Sequence, residues 1–189
     1  MKKILLLFIV LMPFVLFSQS SIDKDGIKIA LDTEISGSRV IATNKVQVSR
    51  NEQFPLEVRI MLMNTSKGKE YSIRFSCLCY NRLYMKKGRP VLLKKSNGTI
   101  LTFKTDDDID QDFGFMVEHE LYTNNIGFFV SRKQLNEIIQ GKIVKVRLTT
   151  DDTKMIDFKI DNNLFSEVLD QQLKAIDDRM KNNDIYQDF

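Results

Sequence analysis

The stretch LEVRIMLMNTSKGKEYSIRFSCLC, Leu56–Cys79, decides the fold class of this chain. Apolar and other residues alternate with a period of two on both sides of the polar segment 64–69, which has the composition of a turn. The pattern predicts a β-hairpin with one buried face. The residues expected on that face are Leu56, Val58, Ile60, Leu62, Tyr71, Ile73, Phe75, Cys77 and Cys79.

Shorter strand signals flank this hairpin on both sides. Around Asn97-Gly98 we predict a second hairpin, because this dipeptide readily takes the positive backbone angles of a type I′ turn. Later in the chain, Lys145 and Arg147 carry charges opposite to that of Asp157 in the next strand, which favours antiparallel pairing. The further strand segments are 26–31, 40–42, 46–48, 91–93, 99–103, 115–117, 126–130, 144–148 and 156–160.

Helix signals occur late in the chain. Ser131 and Gln134 form a capping-box pattern, and Gly141 is expected to end the short helix that follows. A longer amphipathic helix is expected to begin near Asn163. Its apolar stripe, which must pack on the sheet, consists of Phe165, Val168, Leu169, Leu173, Ile176 and Met180.

Together these elements predict the fold class and the domain organisation. We expect an α+β fold with a mainly antiparallel β-sheet built of hairpins, one short late helix and a C-terminal amphipathic helix packed on the sheet. The alternative is a β-sandwich with an added helix. No linker rich in Pro, Gly or Ser divides the chain, so we expect a single β-rich domain at 19–181 and a frayed tail at 182–189.

The start of the chain has the order of a secretory signal peptide. Basic residues come first, an apolar run follows over 4–17, and small polar residues come after it. We expect residues 1–18 to form the signal peptide, with cleavage after Ser18 or after Ser20. A spanning helix needs roughly 20 apolar residues. Because the run is shorter, we expect no transmembrane segment in the mature chain.

The charge balance argues against a nucleic-acid partner. Removal of the leader also removes Lys2 and Lys3, which leaves 26 basic and 25 acidic residues. A nearly neutral chain gives little support to general polyanion binding. The densest basic group, at 86–95, falls where a turn and a strand begin, which is typical of a solvated edge.

The segment from Val130 to Ile176 carries a family resemblance. It consists of a strand, the motif Ser131-Arg132-Lys133-Gln134-Leu135, a helix ended by glycine, two strands that include Asp157-Phe158, and a closing helix. This part resembles the C-terminal part of small exported proteins common in Bacteroidota, and the leader ending in Phe17-Ser18-Gln19 is similar to theirs. The resemblance implies an envelope location, in the periplasm or at the cell surface of a Gram-negative bacterium. It carries over no site residue.

The acidic run from Asp106 to Asp112 is the most suggestive cluster. Carboxylates at alternate positions of a loop can converge on calcium, which takes about six to eight oxygen ligands. The strict EF-hand pattern fails, because Phe113 stands where Gly is needed and His119 stands where a bidentate Glu is needed. A looser calcium loop and a solvated loop are the two interpretations that remain. The candidate ligands are Asp108, Asp110 and Asp112.

The sequence contains few candidate catalytic residues. His119 is the only histidine, so a general base at neutral pH must be this residue or a perturbed carboxylate. The sequence contains no Gly-x-Ser-x-Gly elbow, no phosphate-binding glycine loop and no zinc ligand set. Cys77 and Cys79 lie two residues apart in a strand, which predicts buried thiols rather than a disulfide.

Three functional hypotheses follow from the sequence. The first is an exported, non-enzymatic binding or interaction domain of the bacterial envelope, with another envelope protein as its partner and no cofactor. The second is a calcium-stabilised binding or adhesion module that uses the acidic run. The third is a hydrolase in which an Asp or Glu acts with His119. The identity of the partner and the oligomeric state are left open.

Overall fold

The structure is a computed structural model of the chain. It describes residues 26–35, 37–49, 55–66, 68–79, 84–107, 110–116 and 119–184. Within these ranges, side chains are described except at 78, 79, 110–116, 119–122, 183 and 184. The predicted signal peptide at 1–18 lies outside the described residues, as do residues 185–189 of the predicted tail.

The secondary structure is mainly β, with both helices late in the described part of the chain. The strands are β1 (Ile29–Ile35), β2 (Ser38–Thr43), β3 (Val46–Gln47), β4 (Leu56–Thr65), β5 (Gly68–Cys79), β6 (Pro90–Lys95), β7 (Ile100–Lys104), β8 (Asp110–Met116), β9 (His119–Val130), β10 (Ile143–Thr149) and β11 (Met155–Lys159). The helices are α1 (Arg132–Gln140) and α2 (Asn162–Asp184).

The described strands form two antiparallel sheets. In the seven-stranded sheet, the large sheet, the order is β1-β2-β4-β5-β9-β8, and β3 also pairs with β4. The predicted hairpin forms its centre as β4 and β5, with Thr65 opposite Gly68. In the four-stranded sheet, the small sheet, the order is β11-β10-β6-β7. The predicted α+β fold with a mainly antiparallel sheet is therefore confirmed.

The inner face of the large sheet is covered by a layer that contains both the helices and the small sheet. Phe75 of β5 lies 6.3 Å, centroid to centroid, from Phe165 of α2. Phe128 of the neighbouring β9 lies 4.6 Å from Phe103 of β7 in the small sheet. Because Phe75 and Phe128 are themselves 6.1 Å apart, one continuous apolar core joins the three units.

The predicted starts of both helices and the apolar stripe of α2 are confirmed. Ser131 caps α1 in a capping box with Gln134, and Gly141 follows its last residue. Asp161 caps α2, because its Oδ1 accepts hydrogen bonds from the backbone N–H groups of Asn163 and Leu164. The predicted stripe of α2 is buried at all six positions: Phe165, Val168, Leu169, Leu173, Ile176 and Met180.

The buried face of α2 also carries a polar side chain that the apolar pattern does not include. Gln172 is fully buried, and its Nε2 donates to the carbonyl oxygens of Asn44 and Val58 at 3.1 Å each. Asn44 lies between β2 and β3, where the pairing with β4 is interrupted. The amide therefore satisfies main-chain acceptors that the interrupted strand edge leaves available.

The turn of the second hairpin differs from the predicted type I′ turn. Gly98 has φ +88°, but Asn97 is not among the described residues with positive φ. Gly98 N–H donates to Lys95 O at 3.0 Å, and Lys95 N–H donates to Thr99 O at 2.8 Å. This is a three-residue loop in which a type I turn is followed by a left-handed glycine. The extra residue Ser96 in the loop removes the need for a positive φ at Asn97.

Two predicted boundaries are wrong. Strand β8 begins at Asp110, whereas the sequence places a strand only from 115, and the acidic residues hide its period-two pattern. Helix α2 continues to Asp184, so residues 182–184, predicted as the start of a frayed tail, are helical. Among the described residues, no helix is long and apolar enough to span a membrane.

Candidate functional site

The outer face of the large sheet, which is turned away from the core, carries two arginines side by side. Arg59 lies between the buried residues Val58 and Ile60, and Arg74 lies between the buried residues Ile73 and Phe75. Alternation therefore places both arginines on the outer face. Arg59 pairs directly with Arg74, and Arg74 pairs with Gly127 of β9. The three residues form one row across β4, β5 and β9.

Gly127 lets the Arg74 side chain lie flat across β9. A Cβ atom built on Gly127 would collide with Cδ, Nε and Cζ of Arg74. The guanidinium thus crosses above the glycine and reaches Asp106, where Nη2 lies 2.8 Å from Oδ2. The close approach requires the absence of a side chain at 127.

Asp106 is held against the open side of β9 by the segment that leaves the small sheet. Thr105 O accepts from Gly88 N–H at 2.9 Å, and the Asp106 N–H donates to Gly127 O at 3.0 Å. The Asp106 carboxylate also accepts from Ser72 Oγ at 3.2 Å. Only 3% of the Asp106 side chain is exposed, so its charge is presented to Arg74 rather than to solvent.

The charges of the arginine row are incompletely balanced. Burial, and then the like charge of Arg74, lower the pKa of the Arg59 guanidinium. Like charges directly opposite each other in a sheet oppose its stability. Within the described part of the chain, Arg59 Nε, Arg74 Nε and Asp106 Oδ1 are buried without a hydrogen-bond partner. The row holds two guanidinium groups and one carboxylate, so the net positive charge on the outer face suits it to receive an anionic group.

A third cation lies beside the arginine row. Lys45 Nζ donates to Ser76 Oγ at 2.9 Å and to Asn125 Oδ1 at 3.2 Å. Ser76 Oγ in turn donates to Asn125 Oδ1 at 2.9 Å, which fixes the group. Glu57 pairs with Ser76 on the same face and makes no ion pair within 4.0 Å to any described residue.

Apolar side chains border the cations. Met61, Ser72 and Phe129 form the next row of the outer face. Phe129 is 44% exposed and lies beyond the part of β9 that pairs with β8. Arginine, methionine and aromatic residues are the types enriched in protein–protein interfaces. We call the set Lys45, Arg59, Met61, Arg74, Asp106 and Phe129 the arginine face.

The structure separates the residues of the acidic run. Asp106 belongs to the arginine face, whereas Asp110 and Asp112 lie in β8 opposite Asn125 and Thr123. Asp108 lies outside the described residues, and the side chains of Asp110 and Asp112 are not described. The described side chains contain no group of three or more residues suited to hold a metal ion. Calcium binding by Asp108, Asp110 and Asp112 stays a prediction.

The other residues considered from the sequence lie apart from the arginine face. His119 begins β9 and pairs with Met116 at the far end of the sheet. Cys77 is buried in the core, as predicted, and the side chain of Cys79 is not described. The side chain of His119 is not described, so the hydrolase hypothesis stays a hypothesis.

The arginine pair could have been recognised from the hairpin register. With the turn between Thr65 and Gly68, residues whose numbers are symmetric about it must pair, and Arg59 and Arg74 are such residues. The position of Asp106 next to Arg74 could not be predicted from the hairpin register, because it depends on how the two sheets are connected. Comparison of the chain with models of protein families, with curated proteins and with solved structures gave no match.

Proposed function

We propose that this chain is an exported, non-enzymatic binding domain of a bacterial envelope, and that its arginine face binds an acidic segment of an envelope protein. The observation that carries the proposal is the cross-strand pair Arg59 and Arg74 on the outer face, where burial and then the like charge of Arg74 lower the pKa of Arg59. Guanidinium groups present planar, fork-like donors that match a carboxylate. A carboxylate from a partner would offset the like-charge repulsion between the two guanidinium groups.

The surroundings of the pair support a protein as the partner. Phe129 and Met61 offer apolar contact area next to the charges, and Lys45 adds a second point of attraction for acidic groups. A few aromatic and arginine anchors carry most of the free energy in typical protein interfaces. An extended acidic segment that also carries apolar residues would contact both parts of the face.

Isothermal titration calorimetry with a capped tetraglutamate peptide tests the binding proposal. We expect the mature chain to bind this peptide and not to bind a capped tetraglutamine peptide, which has the same length and no charge. Arg59→Gln should weaken binding about tenfold or more, which corresponds to about 1.4 kcal/mol or more, because it removes a charge-assisted contact. Lys174→Gln, a change in an exposed residue of α2, is the matched control and should leave the affinity unchanged. Equal affinities of the Arg59→Gln and wild-type proteins would refute the proposal.

The export part of the proposal rests on the leader pattern and has its own test. When the full chain is produced in a Gram-negative bacterium, we expect the periplasmic fraction to contain a protein whose intact mass starts at Gln19 or at Ser21. Replacement of Leu5 and Leu6 by Asp should block processing, because it interrupts the apolar run. An unprocessed chain in the cytoplasm of wild-type cells would contradict export.

A further inference from the structure

The outer face of the small sheet concentrates positive charge from all four of its strands. Buried residues such as Val146, Leu93 and Phe158 mark the inner positions, and the residues between them lie on the outer face. The register then places Lys145 directly beside Lys159 on one side and Lys94 on the other. The cations of this face, which we call the basic face, are Lys94, Lys104, Lys145, Arg147 and Lys159.

One carboxylate on this face, that of Asp157, contacts two of the five cations. Asp157 lies 2.9 Å from Lys145 Nζ, and its Oδ2 accepts from Arg147 Nη2 at 2.7 Å. Lys94, Lys104 and Lys159 are exposed. At the turn beside the sheet, Asp151 pairs with Arg89 and Asp152 pairs with Lys154, so these acids are locally balanced. The charge is thus concentrated on one face of a chain that is nearly neutral after leader removal.

We propose that the basic face docks the protein on a membrane surface of anionic phospholipids. Lysines dominate the face, and the one arginine is already bound by Asp157 in a two-point contact. Lysine is a flexible point charge that suits a diffuse layer of anionic headgroups rather than one planar ligand. Each lysine or arginine near an anionic membrane contributes about 1 kcal/mol of attraction.

Two apolar residues at the border of the sheet support a lipid surface over another polyanion. Ile100 is 55% exposed and Met155 is 64% exposed. Ile100 pairs with Lys94, and Met155 is the first residue of β11. Both can enter the boundary between headgroups and acyl chains, a contact that a nucleic acid does not offer. The described outward positions of the four strands carry no aromatic side chain on which bases could stack.

This surface is distinct from the arginine face. The inner faces of the two sheets share one core, so their outer faces lie on opposite sides of the molecule. A protein docked on a membrane through the basic face would therefore present its arginine face away from the lipid. Membrane docking and partner binding can be separated by mutation.

Vesicle sedimentation of the mature chain tests the proposal. We expect binding to vesicles of phosphatidylcholine with phosphatidylglycerol, no binding to pure phosphatidylcholine, and loss of binding in high salt. The double variant Lys94→Gln/Lys159→Gln should weaken binding about tenfold or more. Lys174→Gln/Lys181→Gln, which removes two exposed charges from α2, is the matched control. Circular dichroism verifies that both variants fold.

Three outcomes would overturn the proposal. The first is equal binding to both kinds of vesicle, and the second is unchanged binding of the Lys94→Gln/Lys159→Gln variant. The third is binding of duplex DNA or heparin without binding of the anionic vesicles, which would identify a general polyanion face. Arg59→Gln should retain vesicle binding in every case, so failure of this proposal and failure of the proposed function are distinguishable.

Discussion

At the scale of single residues, Gly127 determines where the Arg74 guanidinium lies. Gly127 is absent from the described glycines with positive φ, so its backbone conformation would accept any residue. The space above its Cα, however, is filled by the Arg74 side chain on its way to Asp106. The sterically smallest residue is therefore needed to keep the arginine in contact with a carboxylate that is 3% exposed.

Gly127→Ala should destabilise the protein through Arg74. The new methyl group displaces the flexible end of the arginine, which breaks its ion pair with Asp106 and leaves a buried carboxylate less well compensated. We expect a loss of about 1–3 kcal/mol in the free energy of unfolding, measured by urea denaturation. In an Arg74→Ala background, Gly127→Ala should leave the free energy of unfolding almost unchanged, because the arginine side chain that the methyl group displaces is absent. An equal loss in both backgrounds would show that the methyl group acts on the backbone.

At the scale of elements, ion pairs fasten α2 to the edge of the large sheet. Asp32 of β1 accepts from Arg39 Nε of β2 at 2.8 Å and from Arg179 Nε of α2 at 2.6 Å. Near the same end of α2, Asp177 binds Arg132 of α1, which also contacts Tyr71 of β5. These contacts add to the apolar packing of Ile176 and Met180 in this part of α2.

The Asp32 contacts should make stability depend on pH. Hydrogen bonds from Arg39, and then from Arg179, lower the pKa of Asp32 to about 2. A carboxyl with a lowered pKa stabilises the fold above its unfolded-state value near 4 and loses this contribution as the pH falls from about 4 to about 2. Asp32→Asn should therefore reduce the free energy of unfolding by about 1–2 kcal/mol at pH 7 and have little effect near pH 2.

Urea denaturation across this pH range provides the measurement for Asp32. Asp178→Asn is the control, because Asp178 is 71% exposed and lies 3.8 Å from its lysine partner. A pH-independent difference between Asp32→Asn and the wild type would contradict the role given to the ionised carboxylate.

Elements whose signals are local could be predicted from the sequence, and those that depend on distant pairing could not. The alternation in β4 and β5 and the capping box of α1 each lie within one segment. The first part of β8 is not predicted, because Asp110 and Asp112 interrupt its apolar pattern. This part is a strand because it pairs with β9.

The arginine face and the basic face also depend on the pairing of distant strands. The period-two pattern of the hairpin places Arg59 and Arg74 opposite its apolar face, but their proximity follows from the register of the two strands. The basic face combines residues from four strands between positions 94 and 159, so no linear window contains it. Clusters assembled by sheet pairing are in general invisible to motif searches, which read only neighbours in the chain.

At the scale of the whole molecule, the fold separates two charged faces across one apolar core. The arginine face lies on the large sheet, where cations stand beside Phe129 and Met61. The basic face lies on the small sheet, where lysines stand beside Ile100. Since the rings of Phe128 and Phe103 join the two sheets in the core, the separation of the faces is fixed by packing.

The most direct test of the central claim is a titration of the ¹⁵N-labelled mature chain with the capped tetraglutamate peptide, followed by amide chemical shifts. We predict shifts that concentrate at Arg59, Arg74 and Gly127 and that disappear in Arg59→Gln. Shifts confined to the basic face, or shifts at the arginine face that persist in Arg59→Gln, would contradict the account.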